Sequence, residues 1–425
     1  MIWALGVVMA WSNWPIMLPF VILLLAIAFG PVIAQHHWQG HYHKVCVALA
    51  GIVCLYYLFD LWQPAPVLHA ALDYASFMFV VGSFFVVAGG IHLRVKSPSG
   101  ALRNTLFLFS GAILANLIGT IGASMLLVRP WIAMNRGRIA PMHLAFFIFL
   151  VSNIGGALLP VGPPLFLGFL KGVPFGWTLQ NCWRQWLLTV AIVLLVFFVL
   201  DFFSLRARRK TIHEGEITRW RCQGAHNFLF LFALLAVLIA VPAGWREPLM
   251  ALIAVGSYCA TPQRIREADN FSFAPLKEVG WLFLGIFGTM VPVLEFMKSS
   301  AETMGLTSER AFYWAAGLLS ALLDNAPTYL AFLAAALGLY GFDINESSQV
   351  ARFTLINGGE LAALSLGATF FGALTYMGNA PNLLVKTIAE HAHVPVPSFI
   401  GYVWKFALPI LIPVLLLISI FFFSH

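Results

Sequence analysis

Three polar residues stand where the apolar pattern of this sequence is interrupted. Asp324 is followed by Asn-Ala-Pro, Asn153 by Ile-Gly-Gly and Asn379 by Ala-Pro. A carboxylate within a membrane is costly, so Asp324 predicts a cation- or proton-binding group, with a structural hairpin cap as the alternative. The asparagines and the free carbonyls of an unwound turn would add oxygen ligands for a cation. Helix N-termini at the same breaks would favour an anion, so the breaks alone allow a substrate of either sign.

Further oxygen ligands are predicted on weaker grounds. Hydroxyl groups inside apolar runs are also common where membrane helices touch, so each alone is a weak signal. These candidates are Thr120, Ser124, Ser152, Thr289, Thr328 and Thr375. Glu295 is the second acidic residue predicted within the membrane, and a place at the outer interface is its equal alternative.

Other site chemistries have little support. The sequence shows no catalytic triad, glycine-rich nucleotide motif or zinc-ligand spacing, so an enzyme is not predicted. The five cysteines form no CxxC pair. One histidine cluster is typical of a solvated loop, with metal binding as the minor alternative. Its members are His36, His37, His41 and His43.

The composition requires a membrane. Of 425 residues, 60% are hydrophobic and 10% are charged, whereas soluble proteins carry roughly 25% charged residues. We therefore expect an all-α polytopic membrane protein. The net charge of +7 does not indicate nucleic-acid binding, because the basic residues lie in short loops between apolar runs, where they set orientation. The N-terminus lacks a basic region and a clear cleavage site, and it is predicted to be a retained membrane segment.

Two long apolar runs with polar centres predict re-entrant hairpins, at about 105–128 and 311–340. Each is followed by a run that glycine and proline interrupt, at about 139–170 and 361–391. A hairpin and then a broken helix, repeated in opposite orientation, form an inverted repeat. Helices broken at bilayer depth are typical of transporter binding sites, because freed backbone must be buried or line a watery cavity.

A basic linker divides the chain into two halves of similar length. The predicted halves are 1–205 and 226–425, and the linker is 206–225. Its basic part, 206–221, is predicted to be cytoplasmic by the positive-inside rule.

Several segments resemble one family of membrane proteins. They are SNIGGALLPVGPPLFLGFLKGVPF (152–175), GTMVPVLEF (288–296), LLDNAPTYLAF (322–332), TYMGNAPNLLVKTIAE (375–390) and GASMLLVRPWIAMNR (122–136). In this order they are similar to the bacterial sodium:proton antiporter (NhaD-like) group of the ion-transporter superfamily. Relatives include arsenite permeases and sodium-coupled dicarboxylate and citrate carriers. The resemblance implies two inverted repeats, a homodimer in the bacterial inner membrane, and cation sites at Ser152, Asn153, Asp324, Asn325, Gly378 and Asn379.

Two departures from the family patterns bear on the substrate. The antiporter pattern has an aspartate after the glycine that corresponds to Gly162, whereas here Pro163 follows directly. One expected carboxylate is therefore missing. The dicarboxylate carriers have Ser-Asn-Thr at both breaks, and here the threonine is replaced by Ile154 and Ala380. This second departure argues against a citrate-like substrate.

The residues and the resemblance together predict a secondary transporter that exchanges Na⁺, or another monovalent cation, for H⁺ by alternating access. Asp324 would be the exchanging carboxylate, with Asn153, Asn325 and Asn379 as ligands. The alternative is an anion transporter for a di- or tricarboxylate or an oxyanion such as arsenite. A third class is a channel or a non-transporting scaffold. Besides the transported ions and the lipid bilayer, no cofactor, resident metal or nucleic-acid partner is expected.

Overall fold

Nearly all of the described chain is α-helical. The computed structural model describes residues 14–33, 35–96, 100–207, 219–268 and 271–423. The predicted N-terminal segment and the larger part of the linker, 208–218, lie outside the described residues. Five described helices are long and apolar enough to cross a membrane, or six if one bent pair forms a single span. The protein is an all-α polytopic membrane protein, as its composition predicts.

The described part of the first half contains seven helices. They are α1 (Leu18–Ile33), α2 (Gln35–Leu55), α3 (Pro64–Ala88), α4 (Ala101–Met134), α5 (Pro141–Leu150), α6 (Pro163–Lys171) and α7 (Trp177–Ala207). Short 3₁₀ turns occur at Trp14–Met17 and Ile154–Gly156, and a π-helical turn at Tyr56–Asp60 extends α2. Three of these helices begin with proline in the first turn, where the missing N–H has no intrahelical partner to lose.

Helix α4 is a hairpin that folds back at Gly119. Gly119 has φ +73° and ψ +161°, a conformation that glycine adopts readily and other residues rarely. Asn104 Nδ2 donates to Asn135 Oδ1 at 2.9 Å, and a Cβ built on Gly111 would lie 3.1 Å from Leu127 Cδ1. In a straight helix Gly111 and Leu127 would be about 24 Å apart. The two arms of α4 therefore run side by side, where the sequence predicts the first hairpin.

A short antiparallel ribbon joins two basic segments. Strand β1 (His92–Lys96) pairs with β2 (Arg219–Gln223), and Arg94 lies opposite Arg221. Strand β2 overlaps the basic linker segment 206–221, which is predicted to be cytoplasmic. Since hydrogen-bonded strands are direct neighbours, the ribbon requires that they lie on the same side of the protein.

Among its described residues, the second half contains twelve helices. They are α8 (Asn227–Ala240), α9 (Arg246–Ala260), α10 (Gln263–Ala268), α11 (Ala274–Thr289), α12 (Val291–Ser300), α13 (Glu309–Leu322), α14 (Asn325–Leu339), α15 (Ser347–Ile356), α16 (Gly358–Phe370), α17 (Ala380–His391), α18 (Phe399–Tyr402) and α19 (Ile412–Phe422). A 3₁₀ turn at Phe371–Leu374 follows α16, and a π-helical segment at Val403–Leu411 precedes α19. Helices α11 and α12 meet at a bend of 50°.

Helices α13 and α14 form the second hairpin, and their junction is Leu323–Asp324. Both arms contact one another, and α13 also packs along α16. Gly317 and Gly367 permit this second contact, because an added Cβ at Gly317 would lie 2.5 Å from the Phe371 ring. The hairpin and the broken helix of the second half thus form one packed unit.

The two halves interlock. Helix α17, which follows the break in the second half, packs against the hairpin α4 of the first half. Helix α6, which follows the break in the first half, packs against α14, where Gly168 lies directly under the Tyr329 ring. At its far end α6 also reaches α3, since Lys171 Nζ lies 2.6 Å from Asp73 Oδ2. The breaks of both halves are brought together by this arrangement.

Candidate functional site

The two breaks meet at a buried cluster of asparagine side chains. Asn153 Nδ2 donates to Asn382 Oδ1 at 2.7 Å and to Ile148 O at 2.8 Å. Asn379 Nδ2 donates to Asn153 Oδ1 at 3.1 Å and to Ser152 O at 2.8 Å. The structure therefore brings the predicted ligands Asn153 and Asn379 into direct contact. Their amides connect the breaks, and Asn153 Oδ1 already accepts a hydrogen bond from the other half.

The first break is held to the first hairpin by side chains of α4. The Leu158 N–H donates to Asn116 Oδ1 at 2.9 Å. Ser152 Oγ and Ser124 Oγ share a hydrogen bond of 2.8 Å. Both serines are fully buried. Since backbone that has left a helix needs partners in a membrane, these contacts explain how residues 151–162 remain irregular without exposing unpaired groups to lipid.

The second break is held to the second hairpin in a similar way. Thr375 Oγ1 donates to Ala321 O at 2.6 Å and accepts the Gly378 N–H at 3.0 Å. Gly378 has no room for a side chain, because an added Cβ would lie 2.6 Å from Gly372 O. Thr375 and Gly378, both predicted at the site, therefore shape the break and attach it to α13.

Asp324 lies at the N-terminal ends of two helices. It caps α14, and its Oδ1 accepts the Ala326 N–H at 3.1 Å. The Ala380 N–H, at the first residue of α17, also faces this carboxylate. Helix N-termini carry partial positive charge, so the negative carboxylate is well placed between them. As a whole residue, Asp324 is partly exposed.

Asn325, the neighbour of Asp324, points elsewhere. It is buried, it hydrogen-bonds the Ser320 hydroxyl at 2.7 Å, and it lies directly against Gly372. The structure places Asn325 between the hairpin and the second break. It is not beside the exposed face of Asp324.

A small cavity lies at the tip of the first hairpin. The tip segment 119–122 and the start of α6 at Pro163 border it on one side. Val81, Phe84 and Phe85 of α3 close it on the other side. Its volume is about 10 Å³, which is close to the space needed by one water molecule.

Thr120 leaves an unsatisfied hydroxyl at this cavity. The side chain is 4% exposed, and its Oγ1 has no hydrogen-bond partner in the part of the chain that the structure describes. The second arm of α4 begins at Thr120. Helix α6 begins after its N-cap residue, Gly162, which forms no side-chain hydrogen bond to the helix. Two helix N-termini therefore border the cavity, as at Asp324, but no carboxylate lies among its lining residues.

Three predicted candidates take up other places. Thr328 Oγ1 donates to Asp324 O at 3.0 Å and so belongs to the first turn of α14. Thr289 Oγ1 donates to Gly285 O at 2.8 Å, within its own helix α11. Glu295 is exposed and accepts a hydrogen bond of 2.8 Å from Tyr57. Glu295 thus belongs to the contact between α12 and the end of α2.

A buried polar network at the base of the first hairpin was missed by the sequence reasoning. Asp201 of α7 accepts hydrogen bonds from both Arg138 terminal nitrogens, at 2.8 and 2.9 Å. Asn104 and His143 also bond this carboxylate, at 2.8 and 3.1 Å. His143 Nδ1 accepts the Ala140 N–H at 3.0 Å, so the neutral imidazole, with its proton on Nε2, satisfies both contacts.

This network fastens both ends of the first hairpin to α7. Arg138 counts as a loop residue by its sequence position, and His143 as an interfacial one, yet they are 7% and 0% exposed. The one available signal was Asp201, an acidic residue inside a strongly apolar run. Asn382, which completes the asparagine cluster, could have been found from its place after Asn379-Ala-Pro.

The histidine cluster does not form a metal site among the described residues. No group of three His, Cys, Asp or Glu side chains is arranged to hold a metal within them. His41 Nδ1 contacts the backbone carbonyl of His37 at 3.1 Å on the exposed side of α2. His43 faces Trp281, with ring centroids 6.0 Å apart. The side chain of His36 lies outside the described residues.

Paired broken helices in a polytopic helical protein are typical of membrane transporters. Residues 9–423 match the model of the family described as "Putative citrate transport". The chain belongs to this transporter family. No curated protein matches the chain. The match favours the anion alternative over the sodium:proton exchange that the motifs predicted.

Proposed function

We propose that the protein is a secondary transporter of a citrate-type carboxylate anion, driven by a cation or proton that binds at Asp324. The family match supports the anion, and the two helix N-termini that border the first hairpin tip are the observation on which the proposal rests. A carboxylate of the substrate would accept hydrogen bonds from Thr120 Oγ1 and from the first N–H groups of the second arm of α4.

The second hairpin tip supports a carboxylate at the first. There, the carboxylate of Asp324 lies between the N-termini of α14 and α17. The first tip has two N-termini and no acidic side chain of its own among the lining residues. A substrate carboxylate would occupy the place that Asp324 takes in the other half. The absence of the aspartate after Gly162 fits this proposal, because an acid there would repel the substrate.

The threonines that the dicarboxylate carriers have at both breaks are replaced here by Ile154 and Ala380. In the proposed site the hydroxyl comes from Thr120 of the hairpin instead of from the break. The missing threonines therefore do not argue against a citrate-type substrate.

Binding requires a movement. A cavity of about 10 Å³ cannot hold citrate, so the three α3 residues that close it must move away from the hairpin tip. The Lys171–Asp73 ion pair also joins α6 to α3, and it would lengthen or break in the same movement. A displacement of α3 relative to the hairpins is the form of alternating access that this arrangement supports.

Asp324 would supply the coupling. A carboxylate inside a membrane protein binds a proton or a small cation, and that added charge would compensate the substrate's negative charge during transport. Asn153 and Asn379 would keep the two tips in register through their mutual hydrogen bond.

Reconstituted proteoliposomes test the proposal. Labelled citrate uptake is measured under an imposed proton or Na⁺ gradient, with a pH dye recording proton movement in parallel. Wild-type protein should take up citrate when a gradient is applied. Thr120→Val should weaken citrate affinity about tenfold, because a hydrogen bond to a charged group is lost, and Thr120→Ser should restore it.

Thr289→Val is the matched control, because this buried threonine bonds only within its own helix. It should leave citrate uptake unchanged. Cation-driven proton flux without any citrate uptake would overturn the anion proposal and restore sodium:proton exchange. A citrate flux that depends on neither the proton gradient nor the Na⁺ gradient would indicate a channel.

A further inference from the structure

A second cavity, unrelated to the breaks, lies between the first turns of α2 and α11. Further along, the two helices touch through small residues. An added Cβ at Gly285 would lie 2.9 Å from Cys46 Cβ, and one at Gly288 would lie 2.6 Å from Ala50 Cβ. Such close approach is typical of membrane helices that pack through glycine and alanine.

Near their N-terminal ends, the same two helices are separated by large side chains. Trp38, Tyr42 and His43 project from α2, opposite Trp281 of α11. The His43 and Trp281 ring centroids are 6.0 Å apart, and those of Trp38 and Tyr42 are 6.2 Å apart. Between them lies a half-open cavity of about 610 Å³, which we call the aromatic cleft.

The aromatic cleft also contains two opposite charges. Lys277 and Glu278 both line it. Within the described ranges, neither side chain forms a hydrogen bond or an ion pair, although they are neighbours in sequence. Unpaired opposite charges in one cleft favour a ligand that carries both signs. Aromatic faces beside a carboxylate attract an ammonium group, and lysine binds phosphate.

We propose that the aromatic cleft binds the headgroup of an amine-bearing zwitterionic phospholipid. The headgroup ammonium would lie between Glu278 and the rings of Tyr42 and Trp281, and the phosphate would contact Lys277. Tryptophan and tyrosine are enriched at the membrane–water interface, which is where a headgroup lies.

The surface beyond the cleft suits the acyl chains. Val47, one turn further along α2 than His43, is 46% exposed, and Phe29 of α1 is 48% exposed. These apolar side chains face away from the protein core. A lipid held by its headgroup in the cleft could lay its chains against them. The volume of about 610 Å³ leaves room for the glycerol as well as the headgroup.

Native mass spectrometry of the full chain tests the proposal. The protein is reconstituted with equal amounts of phosphatidylethanolamine and phosphatidylglycerol, and the lipids that remain bound are counted. Phosphatidylglycerol has the phosphate but no ammonium. Wild-type protein should retain phosphatidylethanolamine with about tenfold preference, the size that a cation–π contact and one charged hydrogen bond produce together.

Glu278→Gln and Trp281→Leu should abolish this preference. The glutamine variant keeps the side-chain shape, so a folding defect does not obscure its result. Glu302→Gln and Trp245→Leu change exposed residues elsewhere, and they should keep the preference. Equal retention of both lipids by wild type, or an unchanged preference in Glu278→Gln, would overturn the proposal. Disulfide-linked dimers formed by Trp281→Cys would also overturn it, since a second copy would then fill the cleft. The readout does not depend on transport, so it stands apart from the proposed function.

Discussion

At the second hairpin tip, the carboxylate of Asp324 lies at the N-termini of α14 and α17. At the first tip, the second arm of α4 and α6 also present their N-termini, but Gly119 and Thr120 stand in place of the acid. The two tips therefore share a helical arrangement and differ in charge. The carboxylate of Asp324 lies at the helix ends of the second tip. The helix ends of the first tip have no acidic side chain among the lining residues, and in the proposed function they bind the substrate anion.

The difference supports the proposal that the two tips bind ions of opposite sign. A helix N-terminus attracts negative charge wherever it occurs. At the second tip the carboxylate of Asp324 meets that preference, and it can in turn bind a cation or proton. In the proposed function, a carboxylate substrate takes the corresponding place at the first tip, which has no acidic side chain among its lining residues.

Asp324→Asn removes the charge from the second tip and should have the largest effect. Asparagine still accepts the Ala326 N–H, so the hairpin should fold, but the cation or proton would lose its partner. Gradient-driven citrate uptake should fall on the order of 100-fold, because the coupling ion would lose its interaction with a charged group. Uptake in proteoliposomes measures this.

Asp343→Asn is the control, because Asp343 forms a partly exposed ion pair with Lys298 at 2.7 Å. Its loss should change uptake little. Unaltered gradient dependence in Asp324→Asn would show that the coupling ion binds elsewhere.

Thr120→Asp makes the first tip resemble the second. The new carboxylate would accept the helix N–H groups and repel the substrate, so citrate affinity should fall at least about 30-fold. Equilibrium binding of labelled citrate to the purified protein measures this, with Thr120→Asn as the uncharged match. If the aspartate and asparagine variants bind citrate equally well, charge at the first tip does not decide substrate binding.

Gly378→Ala and Gly156→Ala compare how the two breaks are packed. A Cβ at Gly378 meets the backbone carbonyls of Gly372 and Ser320, at 2.6 and 2.9 Å, whereas one at Gly156 meets the Thr120 methyl at 2.5 Å. Gly378→Ala should destabilise the fold by about 2–3 kcal/mol, and Gly156→Ala by about 1 kcal/mol. Thermal unfolding in detergent measures both.

Only the clash at Gly156 involves a side chain that can be shortened. Adding Thr120→Ser should therefore restore the stability of Gly156→Ala, because serine has no methyl group. No such rescue exists for Gly378→Ala, where the obstacle is backbone. Equal stability of Gly156→Ala with and without the serine would contradict the packing seen at the first tip.

Much of the architecture was predictable because its causes are local. Apolar runs of membrane length predict helices, and the glycines and prolines at 155–164 and 372–381 predict where helices must end. The structure has the fold-back point of α4 at Gly119, within the polar centre of the predicted first hairpin, and Asp324 at the junction of α13 and α14. Both features follow from residues that are close together in the chain.

The contacts that join distant segments were not predictable in the same way. Asn153 and Asn382 are hydrogen-bonded across most of the chain, and Arg138 pairs with Asp201 although its position suggests a loop. The residues adjacent in sequence to Asn153 or Arg138 do not indicate which distant side chain each will contact. The motifs predicted sodium as the substrate, whereas the family match favours a citrate-type anion. The two differ because one break in isolation accepts an ion of either sign.

The sequence by itself determined that the protein is a helical membrane protein with two hairpins and two broken helices, since hydrophobicity, glycine and proline act over a few residues. Only the tertiary structure decided which helix ends face each other and which of them carry a compensating acid. It also decided that the Thr120 hydroxyl has no hydrogen-bond partner among the described residues. Those properties depend on distances between segments that are far apart in the chain, and the folded arrangement of the helices sets those distances.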